Sequence, residues 1–214
     1  MSLTTLLVLA DGRLPSGGHA HSGGLEAAVA AGRVTDVADV GAFLHGRLVT
    51  VGLVAAAFAA AACARPGRWH TLDEGLDART PSPALRRASR AQGRALLRAG
   101  RAMWTLPLTG REPHHPVALG VVAAAAGAGP LEAAVAAAHG SIAGPASAAV
   151  RLLGLNPYAV HAELARLAGA CDEVAADAAA RIDDLADDLP AAGAPLLDIG
   201  AELHATWEVR LFAS

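Results

Sequence analysis

Aromatic residues are scarce in this chain of 214 residues: three Trp, three Phe and one Tyr make up 3% of it. Cysteine is scarcer still, with Cys63 and Cys171 alone, too few to staple a secreted disulfide scaffold of this size. Charged residues reach only 17% against 53% hydrophobic, with a mean hydropathy of +0.37, the reverse of a disordered composition. A basic excess is also missing. The 17 Lys+Arg against 20 Asp+Glu leave a net charge of −3 and a pI of about 6.3, so nothing global draws the chain to nucleic acid or an anionic membrane. No Asn-Gly or Asp-Gly hairpin turn separates two alternating apolar runs, which excludes an ordinary β-sheet protein.

What is abundant is alanine, the best helix former. Caps and breakers place helices along the whole length, and no charge-rich linker divides them. The expectation is an all-α, alanine-rich, single-domain bundle of about ten helices over 1–214. Leu3–Ala10 reads as a short apolar helix, without the basic region of a signal peptide. His21 or Ser22 opens a helix to Ala31, and Thr35 or Asp36 caps a long one reaching Ala64. Trp69–Ala78 and Ala84–Met103 follow, then a loop over Pro107–Pro116 and a helix from Val117 to Ala126. Leu131–His139 and a segment from Ser141 or Pro145 to Leu153 read as separate helices. Asn156-Pro157 caps another, Cys171–Leu189 reads as an acidic helix, and a last one begins near Leu196. Leu48–Ala64 carries no charge, but its alanine content makes it a buried core helix rather than a membrane span. A cytoplasmic protein is expected. Because each buried alanine contributes little hydrophobic free energy, the chain is expected to lean on a partner or a second copy of itself.

Catalytic patterns are lacking. There is no Gly-x-Ser-x-Gly elbow. Cys63 sits in an alanine run, and Cys171 precedes Asp172-Glu173, whose charges disfavour a thiolate. The turn from Leu14 to Glu26 is rich in glycine but lacks the spacing and Lys-Ser/Thr of a phosphate loop. His19 and His21 form a His-x-His pair, and His114-His115 a doublet in a Pro-flanked loop. These are either packing histidines or a weak, shared metal site; a tight site needs three or four ligands. Arg86, Arg90, Arg94 and Arg98 line one helical stripe at i, i+4 spacing, pointing to intramolecular ion pairs or an acidic partner rather than nucleic acid. The end of the chain places Trp207 and Phe212 around Arg210, the residue types that anchor interfaces. It docks either on the chain's own core or on a partner.

Several of these landmarks together resemble the UreF family of urease accessory proteins. The N-terminal signature appears as Leu14, Pro15, Gly17, Gly18, then His21, Ser22, Gly24, Leu25 and Glu26. Ala88–Leu97 resembles the family's middle helix, and Ala149–Leu155 followed by Asn156 a later segment. His204 through Arg210-Leu211-Phe212-Ala213-Ser214 resembles its terminus, with Ala205 and Ala213 in place of the usual Glu and Arg. The resemblance implies a dimeric, non-catalytic helical scaffold that binds UreD (also called UreH) and the GTPase UreG during nickel insertion into urease apoprotein. It implies that Arg210, Leu211, Phe212 and Ser214 dock to UreD/UreH, and that Glu26 and Arg151 sit at positions tied to GTPase regulation. No cofactor is implied, nickel being cargo of the complex. The alternative is a metallochaperone carrying nickel on His19/His21 or His114/His115.

Overall fold

Small side chains let helix backbones touch, and that contact organises the protein. The computed structural model describes residues 3–12, 14–108 and 112–214; part of the Pro107–Pro116 loop, at 109–111, lies outside them. The helices are α1 (Leu3–Ala10), α2 (Leu25–Ala30), α3 (Val37–Arg47), α4 (Leu53–Ala64), α5 (Trp69–Ala78), α6 (Pro83–Met103), α7 (His115–Ala125), α8 (Pro130–Leu153), α9 (Pro157–Arg166), α10 (Ala168–Ala179) and α11 (Pro195–Ala205). A π-turn over Leu48–Gly52 joins α3 to α4 in one continuous helix, Val37–Ala64. The described residues thus form ten helical rods and no strand, as the alanine content implies. Caps follow the sequence: Asp36 accepts from Asp39 N, Ser82 from Leu85 N and Asn156 from Tyr158 N.

At the centre lies α4, buried without a break from Ala56 to Cys63 and packed between α7, α8 and α10. Most of the apolar segment Leu48–Ala64 is therefore core, although Val49 near its start is exposed. Two helices, Val37–Ala64 and Pro130–Leu153, are long and apolar enough to cross a bilayer, and both are more than half buried against the rest of the protein. The approach of α7 to α4 is so close that a Cβ on Gly120 would fall 2.2 Å from the Ala59 carbonyl oxygen and 2.9 Å from Cys63 N. Phe58, fully buried, supplies the bulk that alanine lacks, with the Arg79 guanidinium 5.2 Å from its ring centroid.

Three expected elements differ. Leu131–His139 and the segment to Leu153 form one helix, α8, with Pro145 inside it; burial of its alanine face carries it across the proline. The acidic helix expected to Leu189 stops at Ala179. Beyond it the like charges of Asp183, Asp184, Asp187 and Asp188 disfavour helix. Arg79 instead donates to the carbonyls of Asp187, Leu189 and Pro190 at 2.9, 2.8 and 2.9 Å, fixing a turn that buries Ala186 and Leu189. The helix expected from His21 or Ser22 begins only at Leu25. Gly23 and Gly24 have φ of 62° and 89°, left-handed values that no helix residue takes.

Overpacking at the α4–α7 contact is directly testable. Gly120→Ala is expected to destabilise the protein by about 1–3 kcal/mol or more. Gly140→Ala, on an open surface of α8 with nothing within 4 Å of its Cβ, is expected to be neutral or stabilising by up to about 1 kcal/mol. Urea denaturation midpoints of the two variants should move in opposite directions or differ by that margin.

Candidate interaction site

The two ends of the chain meet at one buried carboxylate. Glu26 lies in the first turn of α2 and is 7% exposed. Its Oε1 accepts from Leu211 N at 2.8 Å, and its Oε2 accepts from Phe212 N at 3.0 Å and from His204 Nε2 at 2.8 Å. A carboxylate taking three donors needs no further partner, and the acceptor role requires His204 to carry its proton on Nε2. Burial alone would raise the Glu26 pKa; the bonds from Leu211, His204 and Phe212 outweigh it and hold the carboxyl below its ordinary value of 4.5.

The turn before α2 completes the clasp. Ser22 is fully buried; its N–H and hydroxyl both donate to the Ser214 carbonyl, at 2.6 and 2.9 Å. Ala213 N donates to Ala20 O at 2.7 Å, and His21 Nδ1 pairs with the Ser214 hydroxyl at 2.7 Å. Phe212 is buried at 4% exposure, with the Arg151 guanidinium 4.7 Å from its ring centroid, a cation–π contact worth about 0.5–1 kcal/mol at an exposed site. Of the two alternatives for the tail, the chain's own core receives Phe212, and Ser214 is half-buried against the signature turn. Arg210 and Leu211 face outward.

The N-terminal signature residues serve this contact in different ways. Leu25 is fully buried in the core, whereas Pro15 and Gly18 are exposed. Gly17 takes a φ of 77° ahead of a short 3-10 turn over Gly18–Ala20. At Gly24 a Cβ would strike Leu197 Cδ2 at 2.9 Å, so the signature turn lies directly against α11. That helix is further tied to the start of α6 through Glu202, which accepts from Ser82 Oγ at 2.5 Å and from Ala84 N at 2.8 Å. It buries His204 on one side and exposes Leu196, Ile199 and Leu203 on the other, 57–60% accessible. Beside it the tail exposes Val209 at 86% and Leu211 at 64%.

Two of these features escape the sequence reading. His204 enters there only through the resemblance, without a partner, and the α11 stripe is not singled out. Its signal was the three- and four-residue spacing of Leu196, Ile199 and Leu203, which periodicity alone assigns to a core.

The other candidate residues are placed elsewhere. His114 is buried beneath α5, its Nε2 3.0 Å from Asp77 Oδ1 and its N–H donating to Asp73 Oδ1 at 2.7 Å. Burial and then His21 push the His115 pKa down to about 4, while burial and then His19 lower that of His21. Among the described residues no group of three or more His, Cys, Asp or Glu is arranged to hold a metal ion. Burial, and then Glu132, push the Cys63 thiol up to about 11.

The arginine stripe divides. Arg90 bridges Asp73 and Asp77, each at 2.9 Å, Arg86 reaches Asp77 at 3.4 Å, and Arg94 pairs with Glu112 at 2.5 Å; Arg98 is exposed. Asp73, Asp77, Arg86, Arg90 and Glu112 line an open cleft of about 670 Å³ together with Glu74 and Ala78.

An all-helical protein whose C-terminal tail is clasped to an N-terminal glycine turn, beside an exposed apolar helix face, is what fold and site define. The UreF family model matches residues 34–168. The chain is 49% identical to the urease accessory protein UreF of Mycobacterium sp. (strain JLS), over all of this chain and 99% of that protein. Its identity to the UreF proteins of Mycolicibacterium vanbaalenii and Mycobacterium marinum is 45% and 44%, with the same shares covered. The chain belongs to the UreF family of urease accessory proteins.

The clasp has a definite pH signature. Because the Glu26 pKa is lowered in the folded protein, its contribution is complete above the ordinary value and is lost as pH falls through the folded-state value. Acidification should shift the Leu211 and Phe212 amide resonances in NMR toward unbonded positions before the helical signal falls. In Glu26→Gln those resonances should be displaced already at neutral pH and lack that acid transition. A wild-type tail indifferent to acid until global unfolding would exclude the clasp.

Proposed function

We propose that this chain is a non-catalytic scaffold for urease maturation. It links UreD/UreH to the GTPase UreG and regulates GTP-dependent nickel insertion into urease apoprotein, acting as a cytoplasmic homodimer with nickel as cargo of the complex. One observation carries the reading: the exposed apolar row of Leu196, Ile199 and Leu203, with Val209 and Leu211 held beside it by the shared Glu26 carboxylate. Five large apolar side chains at one end of a protein so short of large residues form a docking surface in need of a cover.

In this reading UreD/UreH covers α11 and the tail. Arg210 and Leu211 meet it directly, whereas Phe212 and Ser214 act from inside, holding the tail in shape. Glu26 and Arg151 both touch Phe212 or its amide, so their influence on UreG passes through the tail. The metallochaperone alternative has less support, since His114 is committed to Asp77 and Asp73.

Co-expression with the cognate UreD and UreG, followed by size-exclusion chromatography with light scattering, tests the scaffold. Paired copies in a ternary complex are expected. Leu203→Asp and Leu211→Asp should each weaken UreD binding by at least about 1–2 kcal/mol, roughly tenfold or more, with helicity unchanged. Wild-type affinity in both variants would place UreD on another surface.

A further inference from the structure

A half-buried cation ties the signature turn to the middle of α8. Arg47, at the start of the π-turn, sends its Nε to the Ser141 carbonyl and its Nη1 to the Gly23 carbonyl, both at 2.8 Å. The Ser141 carbonyl is short of a donor for a covalent reason. Its helical partner four residues on is Pro145, which has no N–H. The π-turn itself is positioned by contact: a Cβ on Gly52 would lie 2.8 Å from Ser141 Oγ. A Cβ on Gly23 would lie 2.9 Å from Pro145 Cγ and 3.1 Å from Arg47 Cζ. Turn, guanidinium and proline are therefore stacked in direct contact. Burial lowers the Arg47 pKa to about 10, so it stays cationic at neutral pH.

Gly23 lies between the two residues that hold the tail. Ser22, on one side, binds Ser214; Glu26, three residues on, binds Leu211 and Phe212. We infer that Arg47 is the positioning residue of the tail clasp: by fixing the Gly23 carbonyl to the Pro145-exposed carbonyl of α8, it sets the turn from which Ser22 and Glu26 grip the C-terminal tail. α8 thereby acts on the tail at two places, through Ser141 and Arg47 and through Arg151 on Phe212. A displacement of α8 against the π-turn is transmitted to the docking surface without any direct contact between Arg47 and the tail. The consequence for partner binding rests on the proposed scaffold function; the positioning itself does not.

Hydrogen exchange on the isolated full chain, read segment by segment, separates the two. In Arg47→Met the amides of Ser22, Leu211, Phe212 and Ala213 should exchange at least tenfold faster, while α4, α7 and α10 keep wild-type protection. Lys cannot bridge two carbonyls as a guanidinium fork does, so Arg47→Lys should show a smaller but clear acceleration in the same segments. It is the variant to read if Arg47→Met fails to fold. Equal acceleration throughout the helices would make Arg47 merely structural and overturn the inference, as would wild-type exchange of the tail in Arg47→Lys. Failure of the wild-type protein to bind UreD would instead refute the scaffold function and leave the exchange result untouched.

Discussion

The Glu26 carboxylate is the interaction on which the functional end of the molecule depends. An anion in a nearly dry position is costly unless every lone pair facing the protein is used. Here it is supplied by two tail amides and His204. One side chain thus ties α2 to α11 and the tail at a single point, and removing it leaves donors on α11 and the tail without a partner. Phe212 alone would give the tail hydrophobic anchorage without direction. The carboxylate gives it a register, leaving Arg210 and Leu211 outside.

The rest of the fold is arranged so that this point is held firmly. An alanine core gains little free energy per residue and compensates by bringing helix backbones into contact, as at Gly120 against Ala59. Of the twelve large apolar side chains exposed among the described residues, five fall on α11 and the tail. Such an alanine core also moves work normally done by packing onto arginine. Arg79 holds the turn after α10 by its carbonyls, Arg90 joins α5 to α6, and Arg47 replaces the hydrogen bond that Pro145 cannot make. The guanidinium suits this work because one planar fork can serve two or three acceptors.

Much of the fold was legible because helices are local. Trp69–Ala78 and the uncharged core helix to Ala64 are where composition and caps put them. Errors fell where a distant contact decides the local structure. No spacing rule reveals that Arg79 satisfies the carbonyls of the 187–190 turn, or that the helix after Gly129 survives Pro145. At the site, the residues themselves were legible and their arrangement was not. The resemblance sets Glu26 and Arg151 apart from Phe212 and Ser214, yet the structure joins them in one clasp. The stripe on α11 shows the converse limit, since apolar periodicity marks a face but does not say whether the protein itself covers it.

The central claim is that the clasped shape of the tail, and not its sequence alone, forms the docking surface. Calorimetric titration of UreD into wild-type protein and into Glu26→Gln tests it most directly, because Glu26 lies inside the clasp and its substitution changes the tail's shape without changing the identity of any outward-facing tail residue. The account expects at least tenfold weaker binding to the variant at unchanged helicity. Equal affinity for the two proteins would contradict it.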